Sequence, residues 1–316
     1  MSERLEDIAA AMMADGQGIL AADESSGTIK KRFDTIGLTS TEDARRDYRE
    51  LLFRSKQAMT DYISGVILYD ETIRQKAADG TPLVELLKAT GSVPGRLKEY
   101  YELGARFAKW RAVIDISPST PSWTALRANA HALARYARLC QDAGIVPIVE
   151  PEVIMDGPDA DHTIDRCYEV TEWTLKIVFD ELYEARVSLE GMILKPNMVI
   201  AGQKCPTQAS PEEVAEKTLK CLKACVPAAV PGIAFLSGGQ SDEAATQHLS
   251  LMNAAGPLPW KLTFSYGRAL QAAAIKAWGG KPENVEAAQR AFAHRARMNS
   301  LAALGTWSAD QERAAA

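Results

Sequence analysis

Six charged residues stand at or just past the ends of short apolar runs, at spacings that place them on shared faces. Lys109 and Arg111 are two apart, with Trp110 between them. Glu150 and Glu152 flank Pro151, Lys195 follows Ile193 by two, and Asp23 follows Ala21 by two. Side chains alternate along a strand, so residues two apart point the same way. If those faces turn inward, one pocket holds three carboxylates and three cations. Salt bridges capping a layer of strands would explain any single pair. Six together are harder to explain that way, because charges are costly to bury and a fold does not need them to close. Such a set suits amine catalysis. A lysine attacks a carbonyl as the free amine, and burial or a nearby cation favours that form. Lys109 is the cation placed to do this for Lys195. Carboxylates can then move protons through carbinolamine formation, dehydration and carbon–carbon cleavage, while the iminium takes up the electrons of the developing carbanion.

Two further segments are suited to anions. FLSGGQS offers Ser237 and the backbone of Gly238 and Gly239 ahead of a helix start. FSYGRAL offers Ser265, Gly267 and Arg268, again opening a helix. Glycines let the backbone approach an anion, and helix N-termini favour one. Either segment alone reads as an ordinary cap or tight turn; two on consecutive strands read as a phosphate site.

These residues must be carried by strands that alternate with helices. Apolar runs begin at Gly18, Ser64, Arg106, Ile145, Gly191, Gly232 and Trp260, seven candidates in all. Between them lie stretches with apolar residues three or four apart, such as TEDARRDYRELLFRSKQAM, where Thr41, Glu42 and Asp43 mark a helix start. Strand–helix alternation predicts a parallel sheet. Each run begins apolar and ends in charged, Ser or Gly residues, which matches a (β/α)8 barrel with its site at the C-terminal strand ends. A doubly wound sheet would concentrate the site at one switch point after a glycine-rich first turn. The first turn here reads AADESSG, so the barrel is preferred. No low-complexity linker interrupts the chain, and residues 1–316 read as one barrel domain with a helical C-terminal extension.

The composition narrows the function. The 316 residues carry a net charge of −5 with Lys and Arg spread along the chain, so nucleic acid is not an expected partner. No run approaches the ~20 apolar residues of a membrane span. The N-terminus has acidic residues where a signal peptide has bases. Five cysteines without a CxxC pair fit reduced thiols in the cytoplasm. The four histidines are isolated, without zinc-like spacing, so no metal or other cofactor is expected.

The segments ILAADESSGTIKKR, GVILYDET, FAKWR, NAHALARYA, GIVPIVEPEV, LEGMILKPNMV, FLSGGQS, LTFSYGRALQ and KAWGGKPENVEAAQ resemble class I fructose-bisphosphate aldolases, in family order from about Gly18 to Trp307. The resemblance implies a barrel lyase that cleaves fructose 1,6-bisphosphate to dihydroxyacetone phosphate and glyceraldehyde 3-phosphate. It implies Lys195 as the Schiff-base lysine, Glu150 as the main proton-transfer carboxylate and Glu152 as support for the lysine. Asp23 would orient the carbon-4 hydroxyl, Lys109 would stabilise charge near the iminium, and Arg111 would act at the far end of the sugar. Ser237, Gly238, Gly239, Ser265, Gly267 and Arg268 resemble the carbon-1 phosphate site. Ser25, Thr28, Lys31 and Arg32 lie where the family gathers residues around the substrate phosphates. A homotetramer is implied by resemblance alone.

Two departures qualify the expectation. After SVPG, ending at Gly95, family members continue into a strand of type IKVDKG, whereas this chain passes to RLKEYYELGARFAKWR. The barrel is therefore expected to be missing or altered around its third strand, which exposes neighbouring edges. That motivates an alternative: a catalytically impaired, aldolase-derived binding or scaffold protein. A third reading is a lysine-dependent aldolase for a related sugar phosphate. The chain also ends QERAAA, without the terminal tyrosine of many members, so water or another group would handle the carbon-3 proton.

Overall fold

The structure, a computed structural model, describes residues 3–88 and 98–313. The altered region around Val93 and Gly95, and the last three alanines, lie outside the described residues. All seven expected strands form: β1 Gly18–Ala22, β2 Ile63–Leu68, β3 Phe107–Ile114, β4 Val146–Val153, β5 Ile193–Leu194, β6 Gly232–Phe235 and β7 Lys261–Tyr266. They pair in the order β2-β1-β7-β6-β5-β4-β3, and every neighbouring pair is parallel. The sheet curls into the wall of a TIM-type barrel. Its edge strands β2 and β3 do not pair among the described residues, yet they approach each other: a Cβ placed on Gly65 would sit 3.0 Å from the Phe107 ring. The open seam thus lies between the two strands that flank the stretch of sequence containing Gly95.

Near-continuous apolar runs form these strands because both faces are covered, by helices outside and by packed side chains inside. Every residue of β1, β2, β4 and β6 is buried. Strand β3 departs from this at the seam, where Trp110 is 50% and Val113 42% exposed. The Trp110 ring rests on Tyr136, from the helix Trp123–Asp142, with centroids 5.6 Å apart.

Two cores hold the wall. The larger lies between sheet and outer helices. The smaller fills the barrel interior with Ile19, Ala21, Ile67, Phe107, Val146, Ile148, Ile193 and Ala234. The N-terminal helix Leu5–Met12 completes it with Ile8, Ala9 and Met12, a one-sided apolar spacing that turns a single face inward. Met13 presses so closely on Gly232 that a Cβ there would meet the Met13 Cε at 2.3 Å, so a larger residue would require the Met13 side chain to shift. The plug closes the end of the barrel where the strands start. The other end, where they finish, is left for a cavity.

Helix starts follow the expected chemistry. Thr41 accepts from the Ala44 N–H at 3.1 Å and caps the helix Glu42–Phe53. Ser25 and Ser241 do the same for the helices Ser26–Asp34 and Asp242–Ala254, which lead away from β1 and β6.

Candidate active site

A cavity of about 390 Å³ opens at the C-terminal strand ends. Asp23 reaches it from just past β1, Lys109 and Arg111 from β3, Glu150 and Glu152 from β4, and Lys195 from the residue after β5. Ser237 and Gly238 follow β6, Ser265 lies in β7, and Gly267 and Arg268 follow it. The alternation argument holds: Phe107, Val146, Ile148 and Ile193 fill the interior below, and the residues two or four further along surface in the cavity.

The charged groups form a chain of contacts. Lys195 Nζ lies 3.1 Å from Glu150 Oε1, and both residues are 3% exposed. The other oxygen of Glu150 faces Lys109 Nζ at 3.2 Å, and Lys109 also touches Asp23 Oδ2 at 2.8 Å. Burial tends to raise the Asp23 carboxyl, but the charges of Lys109 and Lys195 outweigh it and hold it below its ordinary value. Burial also works against the Lys109 ammonium, yet Glu150 and Asp23 raise it well above the usual lysine value. Lys109 is therefore a fixed cation. Glu152 pairs with Arg111 through its Nε, so the carboxylate in contact with Lys195 is Glu150. The hydrogen bond to Glu152 also raises the Arg111 guanidinium.

On the cavity wall the buried Ser265 Oγ lacks a hydrogen-bond partner among the described residues. Burying such an atom unpaired is unfavourable unless a ligand or water completes it.

The anion turns have the expected form. Gly238 takes φ +53°, a conformation side chains disfavour. Gly267 precedes the helix Arg268–Trp278, which has no side-chain cap, leaving its first N–H groups toward the cavity side. Arg268 Nη2 donates to the Gly238 and Gln240 carbonyls at 2.9 and 2.8 Å, so this guanidinium also braces the loop after β6.

Ser25, Thr28 and Arg32 line the cavity as expected; Lys31 and Gly239 do not. Lys31 is exposed on the Ser26–Asp34 helix, and Gly239 packs against Gln203, whose amide donates to its carbonyl. Ser25 is also the cap of that helix, accepting from the Thr28 N–H at 3.4 Å. Sequence reasoning missed Glu24 and Asp156, which share the wall. Glu24 binds Arg32 and Arg49 at 2.5 Å each and accepts from Gln271 at 3.0 Å. Its signal was parity: next to an inward Asp23, it turns toward the helix layer, where Arg49 waits.

Among the described residues, no group of three or more His, Cys, Asp or Glu side chains is placed to hold a metal ion. Barrel and cavity together define a lyase-type site in which a buried lysine and carboxylates face anion-binding turns. The comparisons give the family. The model for "Fructose-bisphosphate aldolase class-I" matches residues 4–96 and 95–316, dividing at Gly95. A probable fructose-bisphosphate aldolase class 1 from Xanthomonas campestris pv. campestris is 54% identical, with 96% of this chain and 98% of that protein covered. That alignment runs over 333 residues, more than this chain has, so part of the relative has no counterpart here. Fructose-bisphosphate aldolase B from Gallus gallus is 49% identical over 96% of this chain and 90% of its own. A solved Plasmodium falciparum fructose-bisphosphate aldolase, in complex with TRAP and a small-molecule inhibitor, superposes with a TM-score of 0.92 at 44% identity. That match covers 96% of this chain and 95% of the other. This chain belongs to the class I fructose-bisphosphate aldolase family.

Proposed function

We propose that this chain cleaves fructose 1,6-bisphosphate reversibly to dihydroxyacetone phosphate and glyceraldehyde 3-phosphate through a Schiff base on Lys195. The observation that carries the reading is the buried contact of Lys195 with Glu150 at 3.1 Å, inside a cavity that also holds the Ser265 and Gly238 turns. Lys195 passes a proton to Glu150 and its nitrogen lone pair forms a bond to the carbonyl carbon. The carbonyl π pair moves to oxygen, which takes that proton back from Glu150; the nitrogen then gives Glu150 a second proton, which Glu150 passes to the hydroxyl, and the nitrogen lone pair expels it as water, giving the iminium. Asp23 orients the carbon-4 hydroxyl and Glu150 takes its proton. The bond between carbons 3 and 4 breaks, its electron pair enters the iminium, and the aldehyde departs. Protonation at carbon 3 and return of water release the ketone and restore the amine.

Lys109, held cationic by two carboxylates, stabilises the charge that forms near carbon 2. Arg111, steadied by Glu152, serves the far end of the sugar. Ser237, Gly238, Ser265, Gly267 and Arg268 bind one phosphate. Arg32, steadied by Glu24, joins Ser25 and Thr28 at the other. The reading of a catalytically impaired scaffold is not favoured: the charged residues converge on one cavity although β2 and β3 do not pair among the described residues.

All five thiols are free, which supports a reducing, cytoplasmic setting. Among the described residues no helix is long and apolar enough to cross a membrane. The homotetramer follows from family resemblance, and light scattering on the purified protein tests it. The decisive experiment is borohydride reduction with dihydroxyacetone phosphate, without added metal. Mass spectrometry is expected to find the triose on Lys195, with activity unchanged in EDTA. Absence of the adduct, or a large loss in EDTA, would reject the amine mechanism.

A further inference from the structure

Strand β5 carries Lys195 but is only two residues long, and it pairs with β4 at two positions, Ile148↔Ile193 and Val149↔Leu194. The Lys195 N–H extends that ladder by donating to the Val149 carbonyl at 2.8 Å. In a parallel ladder the next bond returns from residue 151 to the Lys195 carbonyl, but residue 151 is proline and has no N–H. Residue 196 is proline as well. The regular ladder therefore ends at the point where Glu150 must be held against Lys195.

The next bond across this seam is made by a side chain. Asn197 Oδ1 accepts from the Val153 N–H at 3.0 Å. The rest of the amide is fixed: Nδ2 donates to Thr171 Oγ1 at 3.1 Å and to the Met198 carbonyl at 3.0 Å. Asn197 is 5% exposed, so water does not compete. On its other edge β4 is paired with β3 over eight positions, Phe107↔Val146 through Ile114↔Val153. Lys109, Arg111, Glu150 and Glu152 therefore move as one sheet fragment. Among the described residues β3 has no strand on its far side. At the level of the cavity and among the described residues, the hydrogen bonds from the fragment's backbone to the lysine segment are the Val149 and Asn197 bonds, beside the Lys195–Glu150 contact itself. Links such as Gln203 N–H to the Met155 carbonyl, at 2.8 Å, lie further along the loops.

We propose that Asn197 is a positioning residue: its side-chain amide supplies the rung that follows the one Pro151 removes and sets the distance between the Glu150 carboxylate and the Lys195 amine. The inference rests on the function proposed above. It makes the exchange of a proton between Glu150 and Lys195 depend on an amide that touches neither substrate nor the reacting atoms. Proton transfer is sensitive to such placement, since the groups must stay within hydrogen-bond reach.

The test compares Asn197→Ala, Asn197→Asp and Thr171→Val with the wild-type chain, in sugar-bisphosphate cleavage, pH–rate profile and borohydride trapping. Asn197→Ala is expected to lower kcat about 10- to 100-fold, with KM changed less than about threefold and the pH–kcat profile displaced. Asn197→Asp keeps an oxygen for the Val153 N–H and is expected to recover kcat to within about tenfold of wild type. Thr171→Val removes a packing partner of the amide without touching the rung. It is expected to lower the melting temperature while kcat stays within about twofold. The proposal is overturned if folded Asn197→Ala keeps wild-type kcat and pH profile, or if Thr171→Val reproduces its kcat loss. Should Asn197→Ala not fold, folded Asn197→Asp decides: recovered kcat supports the rung, and a loss beyond tenfold rejects it. The wild-type adduct on Lys195 tests the functional reading separately. If the adduct forms and Asn197→Ala is unaffected, only this inference fails.

Discussion

Strands β3 and β4 bring Lys109, Arg111, Glu150 and Glu152 to the cavity, whereas the β6–β7 side brings Ser237, Gly238, Ser265 and Gly267. The first wall is built of charged side chains that neutralise one another in pairs. The second is built of hydroxyls and backbone, and its one guanidinium, Arg268, is bonded to loop carbonyls. They also differ in support. Among the described residues strand β3 is a sheet edge, with Trp110 half exposed, while β6 is buried between β5 and β7. Carbon–carbon chemistry needs proton donors and acceptors whose charge can change, and phosphate binding needs fixed dipoles that do not. The division of labour follows: the β3–β4 wall should govern kcat, and the β6–β7 wall should govern KM.

Substitutions can break or sharpen that contrast. Lys195→Met should abolish turnover, with a loss of at least about 10⁴-fold in a coupled assay and no borohydride adduct, because no other group can form the iminium. Glu150→Gln should come next, lowering kcat by roughly 10²- to 10⁴-fold with a smaller change in KM. If Glu150→Gln mainly raised KM, the contrast between the walls would collapse. Ser265→Ala should do the reverse, raising KM about tenfold with kcat nearly kept, the loss expected for one hydrogen bond to a charged group. A kcat loss without a KM change would place Ser265 on the chemical side.

The smallest effect concerns stability. Asp23 titrates below its ordinary value in the folded chain, so its contribution is present at neutral pH and is lost as pH falls through that depressed value. Lys109 has the opposite sign: its contribution is present below the ordinary lysine value and fades as pH rises through the raised one. Urea unfolding at pH 7 and pH 3 should therefore show Asp23→Asn losing less stability on acidification than wild type. An equal loss in both would mean that the Asp23–Lys109 contact does not contribute to acid sensitivity.

Much of this was legible in the chain. Periodicity located all seven strands, because a buried strand needs an apolar run and a βα turn needs polar or small residues after it. Parity placed Lys109 with Arg111 and Glu150 with Glu152, since alternation is a local property of extended backbone. Parity could not say which carboxylate meets the lysine. That depends on the stagger between β3, β4 and β5, and the structure gives Glu150 to Lys195 and Glu152 to Arg111. Lys31 illustrates the limit: KKR contains two lysines and an arginine, and only the turn of the helix put Arg32 over the cavity. The N-terminal plug was not legible either, because an amphipathic helix does not announce which surface it covers.

By itself, then, the sequence determined the strands, their inward faces and the kinds of groups that reach the strand ends, because each depends on residues close along the chain. Tertiary structure decided the pairings: Glu150 against Lys195, Glu24 between two arginines, and the Asn197 amide supplying a rung. Each joins segments tens of residues apart, and their distances are set by how the sheet curls and how its strands are staggered.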